Sequence, residues 1–201
     1  MVLAFIRRDY ITPTMLAKRV LGIAGWSGSG KTTLLVRLIP LLVQRGLRVT
    51  TIKHAHHDFD IDTPGKDSYE HRKAGASEVL ISSARRWVQM HEVENGCEAG
   101  LAELLHRASP CDLVLVEGYK RDHLPKIEVF RPRLGKPPLY LHDPRILAVA
   151  TDEPLAGVHP ALIDLNDLPA VADAVLALAE ASDRVVQELA RAAAAGTPSP
   201  G

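Results

Sequence analysis

The sequence predicts an α/β fold, a mainly parallel sheet with helices on both faces and one extended-strand excursion. Three observations predict it. Residues 25–32 read GWSGSGKT and match the pattern G-x-x-x-x-G-K-[ST], with a short apolar segment before them and a helical pattern after. Strand-like and helix-like segments then alternate along the chain, as they do where helices cross over between parallel strands. The most apolar strand-like segment, residues 112–116, stops at Glu117, and parallel sheets gather ligands at the carboxyl ends of their strands.

The elements follow in order. Residues 1–17 read as an N-terminal arm, with Met1 and Met15 both open as the start. Residues 19–24 form a buried strand that feeds the phosphate loop. Leu34, Leu35, Leu38, Leu41 and Leu42 recur at helical spacing; Gly46 is the stop and Pro40 is expected to kink the helix. Residues 47–52 are the second strand. The polar segment 53–62, KHAHHDFDID, shows a late alternation that reads as an exposed strand. Asp67 or Ser68 caps a helix to about Ala74, and Gly75 closes it. Residues 78–82 and 86–91 are two strands around a short turn, and 98–107 an amphipathic helix. Strands at 112–116, 127–130, 146–150 and 163–165 follow, with Pro132, Pro137 and Pro138 interrupting the loop after Phe130. One final helix runs from near Asp167 to about Ala194. The organisation is thus an arm (1–17), one domain (18–194) and a tail (195–201) that is disordered on composition.

Composition narrows the function. Hydrophobic residues make up 46% of the 201 and charged ones 24%, as in ordinary globular chains, and 24 basic residues balance 24 acidic ones. A net charge of zero argues against a nucleic-acid partner, so anion binding is expected to be local. Cys97 and Cys111 fit no metal or redox spacing and read as reduced thiols, which suits the cytoplasm. No apolar run reaches the ~18 residues a membrane helix needs, so no membrane partner is expected.

The chemistry concentrates on the loop. Glycines let the backbone approach an anion, and the following helix presents its positive end. On this pattern Gly28, Ser29, Gly30, Lys31, Thr32 and Thr33 cradle nucleotide phosphates, Lys31 reaches the β/γ-phosphates, and the Thr32 hydroxyl ligates Mg²⁺. Glu117 is the second magnesium group. Asp58, Asp60, Asp62 and Asp67 follow the second strand; Asp67 is the best candidate among them for a magnesium, water-orienting or catalytic role. His54, His56 and His57 with Lys53 read as an anion or partner contact, as part of a transition-metal site lacking a third converging ligand, or as a solvated loop. Asp152 either accepts from a guanine base or caps a turn before Pro154.

Taken together, residues 25–33, 52–62, the PGKDS run at 64–68 with His71, Arg72 and 74–76, and the VEGYK run at 116–120 resemble the molybdopterin-guanine dinucleotide biosynthesis adapter family (MobB), over roughly residues 19–170. The resemblance implies a P-loop NTPase-type fold that binds GTP and Mg²⁺ and hydrolyses GTP weakly at most. It also implies a partner guanylyltransferase acting on molybdopterin, and a homodimer built through extended strands. Residues 55–62 and 127–130 are the candidate dimer strands, and Lys53, His54, His56, His57, Lys66 and Arg72 the candidate anion or partner contacts. Two other readings stay open at this point: a small-molecule P-loop kinase with Asp67 or Asp58 as base, and a metallochaperone GTPase using the histidines.

Overall fold

The structure is a computed structural model describing residues 18–55, 60–93, 98–158 and 160–195. His56, His57, Asp58, Cys97, the arm 1–17 and residues 196–201 of the tail lie outside the described residues.

Strand β1 (Arg19–Ala24) leads into the phosphate loop and helix α1 (Lys31–Gln44). Then come β2 (Val49–Lys53), α2 (Asp67–Lys73), β3 (Glu78–Ser82), β4 (Trp87–His91), α3 (Leu101–Arg107), β5 (Leu113–Glu117) and β6 (Lys126–Phe130). The chain continues through β7 (Ile146–Thr151), β8 (Ala161–Asp164), α4 (Leu168–Leu178), β9 (Glu180–Ala181) and α5 (Ser182–Ala194). The main sheet runs β2-β5-β1-β6-β7-β8, all parallel, with β9 antiparallel against the start of β1. β3 and β4 form a separate two-stranded hairpin, which is the excursion.

Period-2 alternation divides the core. Leu21, Ile23, Leu113 and Leu115 face one side with Leu34, Leu38 and Val171, where α1 and α4 lie. Val20, Val114 and Val116 face the other with Leu105 and Val185, under α3 and α5. Strands apolar on both faces need helices on both faces, as the sequence predicted. Helix α1 ends as expected: Gly46 sits at φ 85° and donates to the Val43 carbonyl while Leu47 donates to Leu42, a Schellman close. The helix is continuous through Pro40.

Four expectations need correction. The final helix is two: residues 179–181 are extended, the Arg19 guanidinium holds the Ala179 carbonyl at 2.6 Å, and β9 pairs with β1. Residues 127–130 are no dimer edge, because β6 lies between β1 and β7 and every one of its residues is buried. The described part of 53–62 beyond Lys53 forms no strand. The α2 cap position is Lys66, with no side-chain cap bond; Asp67 is the first helical residue and the Ser68 hydroxyl donates to Asp62 instead. By contrast, Asp167 does cap α4, accepting from the Ala170 N–H at 3.0 Å.

Candidate functional site: a phosphate cavity at the carboxyl ends of β1, β2 and β5

The loop between β1 and α1 is shaped by close approach. At Gly25 (φ 139°) a Cβ would stand 2.5 Å from the Val129 carbonyl oxygen, so any side chain there collides with β6. Gly30, at φ 97°, is the residue before α1, a left-handed geometry that suits glycine. Ser29 is buried, and its backbone N–H donates to the Trp26 carbonyl. The first turn of α1 carries no acidic residue and no capping side chain. The first hydrogen bond into the helix is Leu34 N–H to the Gly30 carbonyl, 2.8 Å, so the amides of 31–33 have no intrahelical acceptor. Such a helix start favours an anion.

Parallel register brings the rest together. Glu117, at the end of β5, lies across from Ile23 of β1 and Lys53 of β2, which places β2's exit beside the loop. Its carboxylate accepts from the Thr32 hydroxyl at 2.7 Å. The resulting cavity, 720 Å³, is lined by the loop and by Lys53, His54, Glu117, Gly118 and Lys120. Three ammonium groups therefore converge on one space. Lys31 donates to the Gly25 and Trp26 carbonyls, both at 2.9 Å. Burial pushes its pKa below the ordinary lysine value; Glu117 opposes that shift, and Lys120 and Lys53 add to it by repulsion. A polyanion relieves this crowding.

That relief has a measurable sign. With a triphosphate bound, the proton affinity of Lys31 rises above its lowered free value, so binding takes up a proton in the window between the two, and affinity falls as pH rises through it. Calorimetry at alkaline pH in two buffers of different ionisation enthalpy is expected to show net proton uptake. Identical heats after dilution correction, in both buffers, contradict it.

Apart from Asp152, the described sequence-derived site residues divide into two groups. Gly28, Gly30, Lys31, Thr32, Thr33, Lys53, His54 and Glu117 line the cavity, and Ser29 supports the loop from beneath. His54 Nε2 is 2.8 Å from Glu98, its ring packs 5.2 Å from Tyr119, and its backbone N–H donates to the Glu117 carbonyl. Lys66, Asp67 and Arg72 are not brought to the cavity. Lys66 and Asp67 are exposed at the start of α2, and Arg72 joins Asp60, Asp62 and Glu92, tying the loop before α2 to the end of β4. The Arg72 charge, near the PGKDS run in sequence, is thus engaged in tethering the hairpin.

Asp152 lies in a neighbouring 300 Å³ cleft at the carboxyl ends of β7 and β8, with Thr151, Pro154, Ile163, Asp164 and Asn166. One carboxylate oxygen pairs with the Arg131 guanidinium; the other is buried without a hydrogen-bond partner among the described residues. Arg131 also donates to the Ser29 carbonyl at 2.9 Å, linking the cleft to the phosphate loop. Sequence reasoning missed Arg131, Trp26 and Lys120 as site residues. The VEGYK run held the only local signal for Lys120; Arg131 is defined by its place after β6.

A parallel sheet whose first strand feeds a GxxxxGK[ST] loop, with an acidic residue ending the adjacent strand, defines a P-loop protein, and the fold is consistent with nucleotide binding. The chain belongs to the MobB family: the model described as "Molybdopterin guanine dinucleotide synthesis protein B" matches residues 20–152. It is 48% identical over 160 residues to the molybdopterin-guanine dinucleotide biosynthesis adapter protein of Escherichia coli (strain K12), covering 78% of this chain and 91% of that protein. It is 44% identical over 154 residues to the adapter protein of the same description from Haemophilus influenzae, covering 77% and 85%. A crystal structure of molybdopterin-guanine biosynthesis protein B is similar with a TM-score of 0.63 and 31% identity, covering 79% of this chain and 97% of that one.

Proposed function

We propose that this chain is a cytoplasmic GTP-binding adapter in molybdopterin-guanine dinucleotide biosynthesis, assisting the guanylyltransferase that joins GMP to molybdopterin. One observation carries the nucleotide part: Lys31, Lys53 and Lys120 surround an uncapped helix start beside the Thr32–Glu117 pair. That hydroxyl and carboxylate are hard oxygen donors of the kind Mg²⁺ takes, so the residues fit the ion, and Mg²⁺ there would neutralise phosphate charge. The amides of 31–33 and Lys31 hold the phosphates. Guanine over adenine is supported by the buried Asp152 oxygen that has no hydrogen-bond partner among the described residues, which suits the N1–H and N2–H donors of guanine, with Arg131 fixing the other oxygen. Hydrolysis is weak on this reading. Among the described residues lining the cavity none is a glutamine, and the Arg131 guanidinium is engaged by Ser29 and Asp152.

The names of the related adapter proteins support the partner assignment. A homodimer through extended strands is supported by the β3–β4 hairpin, which exposes Leu80 (63%) and Trp87 (59%) away from the main sheet. Among the described residues, no helix is long and apolar enough to cross a membrane.

The test is equilibrium binding of GTP and ATP with and without Mg²⁺, followed by pull-down of the guanylyltransferase. GTP is expected to bind more tightly than ATP, and the complex to form best with GTP present. Equal affinity for both nucleotides removes the guanine assignment; a transferase that ignores the GTP-loaded chain removes the adapter.

A further inference from the structure

The end of β6 touches the phosphate loop at its entry and at its exit. At the entry, the Val129 carbonyl is what a Cβ on Gly25 would strike. At the exit, the Arg131 guanidinium lies against Gly30, with Nη2 and Nε 3.5 and 3.6 Å from where a Cβ would stand. Arg131 is itself held firmly. Pro132 follows it and opens the 3-10 turn Pro132–Leu134, so the Arg131 backbone stays extended (φ −126°, ψ 107°), and its carbonyl accepts from the Leu134 N–H at 3.0 Å. Parallel register sets Phe130 of β6 across from Thr151 of β7, which brings the next residues, Arg131 and Asp152, to the same end of the sheet.

One side chain therefore makes two bonds with different consequences. Nε donates to the Ser29 carbonyl at 2.9 Å, and Nη1 donates to an Asp152 oxygen. The Arg131 and Asp152 side chains are 21% and 15% exposed, so the pair is weakly screened by salt. In a planar trans peptide the carbonyl and the following N–H point in opposite directions. The bond to Ser29 thus fixes the Gly30 N–H on the side away from Arg131, and Gly30 lines the phosphate cavity whereas Arg131 does not. A cation on that carbonyl also polarises the peptide and makes its N–H a stronger donor.

At the far end of this chain of contacts, the second Asp152 oxygen is buried with no hydrogen-bond partner among the described residues. Donors placed on it settle the carboxylate, the carboxylate settles the guanidinium, and the guanidinium settles the Ser29–Gly30 peptide. The link to the loop belongs to Arg131. Arg133 stands 3.6 Å from the same Asp152 oxygen that Arg131 holds, is 65% exposed, and among the described residues has no bond to the loop.

We propose that Arg131 is a positioning residue that couples the two ends of the nucleotide site. Hydrogen-bond donors in the Asp152 cleft tighten the grip of the phosphate loop, and by linkage phosphate in the loop tightens the cleft equally. The inference rests on the nucleotide reading above and deepens it, since base selection is then felt in the affinity for the triphosphate.

The test titrates the full-length chain, in Mg²⁺, with tripolyphosphate alone, with guanosine present at saturation, and with adenosine at the same concentration; GTP and ATP titrations run alongside. Guanosine is expected to tighten tripolyphosphate binding about fivefold or more, and adenosine to leave it within about twofold. Arg131→Lys keeps the charge but offers one nitrogen where Ser29 and Asp152 are met by two, and Arg131→Gln removes the charge. In both variants the guanosine effect is expected to fall below about twofold, while Arg133→Ala retains it. A residue that only supports the fold lowers tripolyphosphate affinity by one factor with and without guanosine, and that result overturns the coupling. Loss of the effect in Arg133→Ala, or its full retention in Arg131→Lys, overturns the role given to Arg131. Wild-type chain that prefers GTP to ATP yet binds tripolyphosphate equally with and without guanosine overturns the coupling alone, with no variant needed. Wild-type chain with equal affinity for GTP and ATP overturns the guanine reading, and the coupling with it.

Discussion

Lys31→Ala is expected to weaken GTP binding by about a hundredfold or more, on the order of 3 kcal/mol, because a charge-assisted contact to the phosphates disappears where water is partly excluded. The lysine is the most committed of the three cations, since burial already disfavours its charge and it donates to two of the loop's own carbonyls, those of Gly25 and Trp26. Lys53 and Lys120 remain in the variant, so residual affinity persists and should depend steeply on salt. A fluorescent-nucleotide titration at two ionic strengths checks both points, with a thermal melt to establish folding. Unchanged affinity in a folded variant would take the phosphates out of this loop.

Glu117→Gln is expected to abolish most of the gain in GTP affinity that Mg²⁺ confers, about tenfold or more, while leaving magnesium-free binding close to wild type. The amide matches the carboxylate in volume at the buried end of β5 and still accepts from the Thr32 hydroxyl, so the strand end keeps its geometry. What it loses is the negative charge that holds a divalent cation. Removing that charge also leaves Lys31 without its one opposing carboxylate, which lowers its proton affinity further. Titrations with Mg²⁺ and with EDTA separate the two effects. An equal magnesium response in wild type and variant assigns the ion elsewhere.

The legible parts of this molecule were local. The GWSGSGKT run, the leucine spacing of α1, the Gly46 stop and the apolar run ending at Glu117 each depend on residues within a few positions of one another, and each occurs where expected. The illegible parts were long-range. Residues 179–181, Ala-Glu-Ala, are good helix formers, yet they are extended because Arg19 and β1 compete for their backbone from 160 positions away. The run KIEVF at 126–130 alternates charge and apolarity like a half-exposed strand. It is fully buried because Asp143 and the amides of 139–140 meet its two charges. Arg72 and Lys66 lie beside a diagnostic motif in sequence and apart from the cavity in space.

The chain alone therefore determined that a phosphate loop stands between a buried strand and a helix, with a lysine, a hydroxyl and an acidic strand end, since backbone sterics and periodicity act over neighbouring residues. Only the tertiary structure decided which distant charges share a cavity. The parallel register sets Lys53 and Glu117 side by side, the end of β6 brings Arg131 to Asp152, and the Pro137 carbonyl meets Trp26. The physical reason is that ion pairs and buried hydrogen bonds depend on distance through space, which separation along the chain does not report.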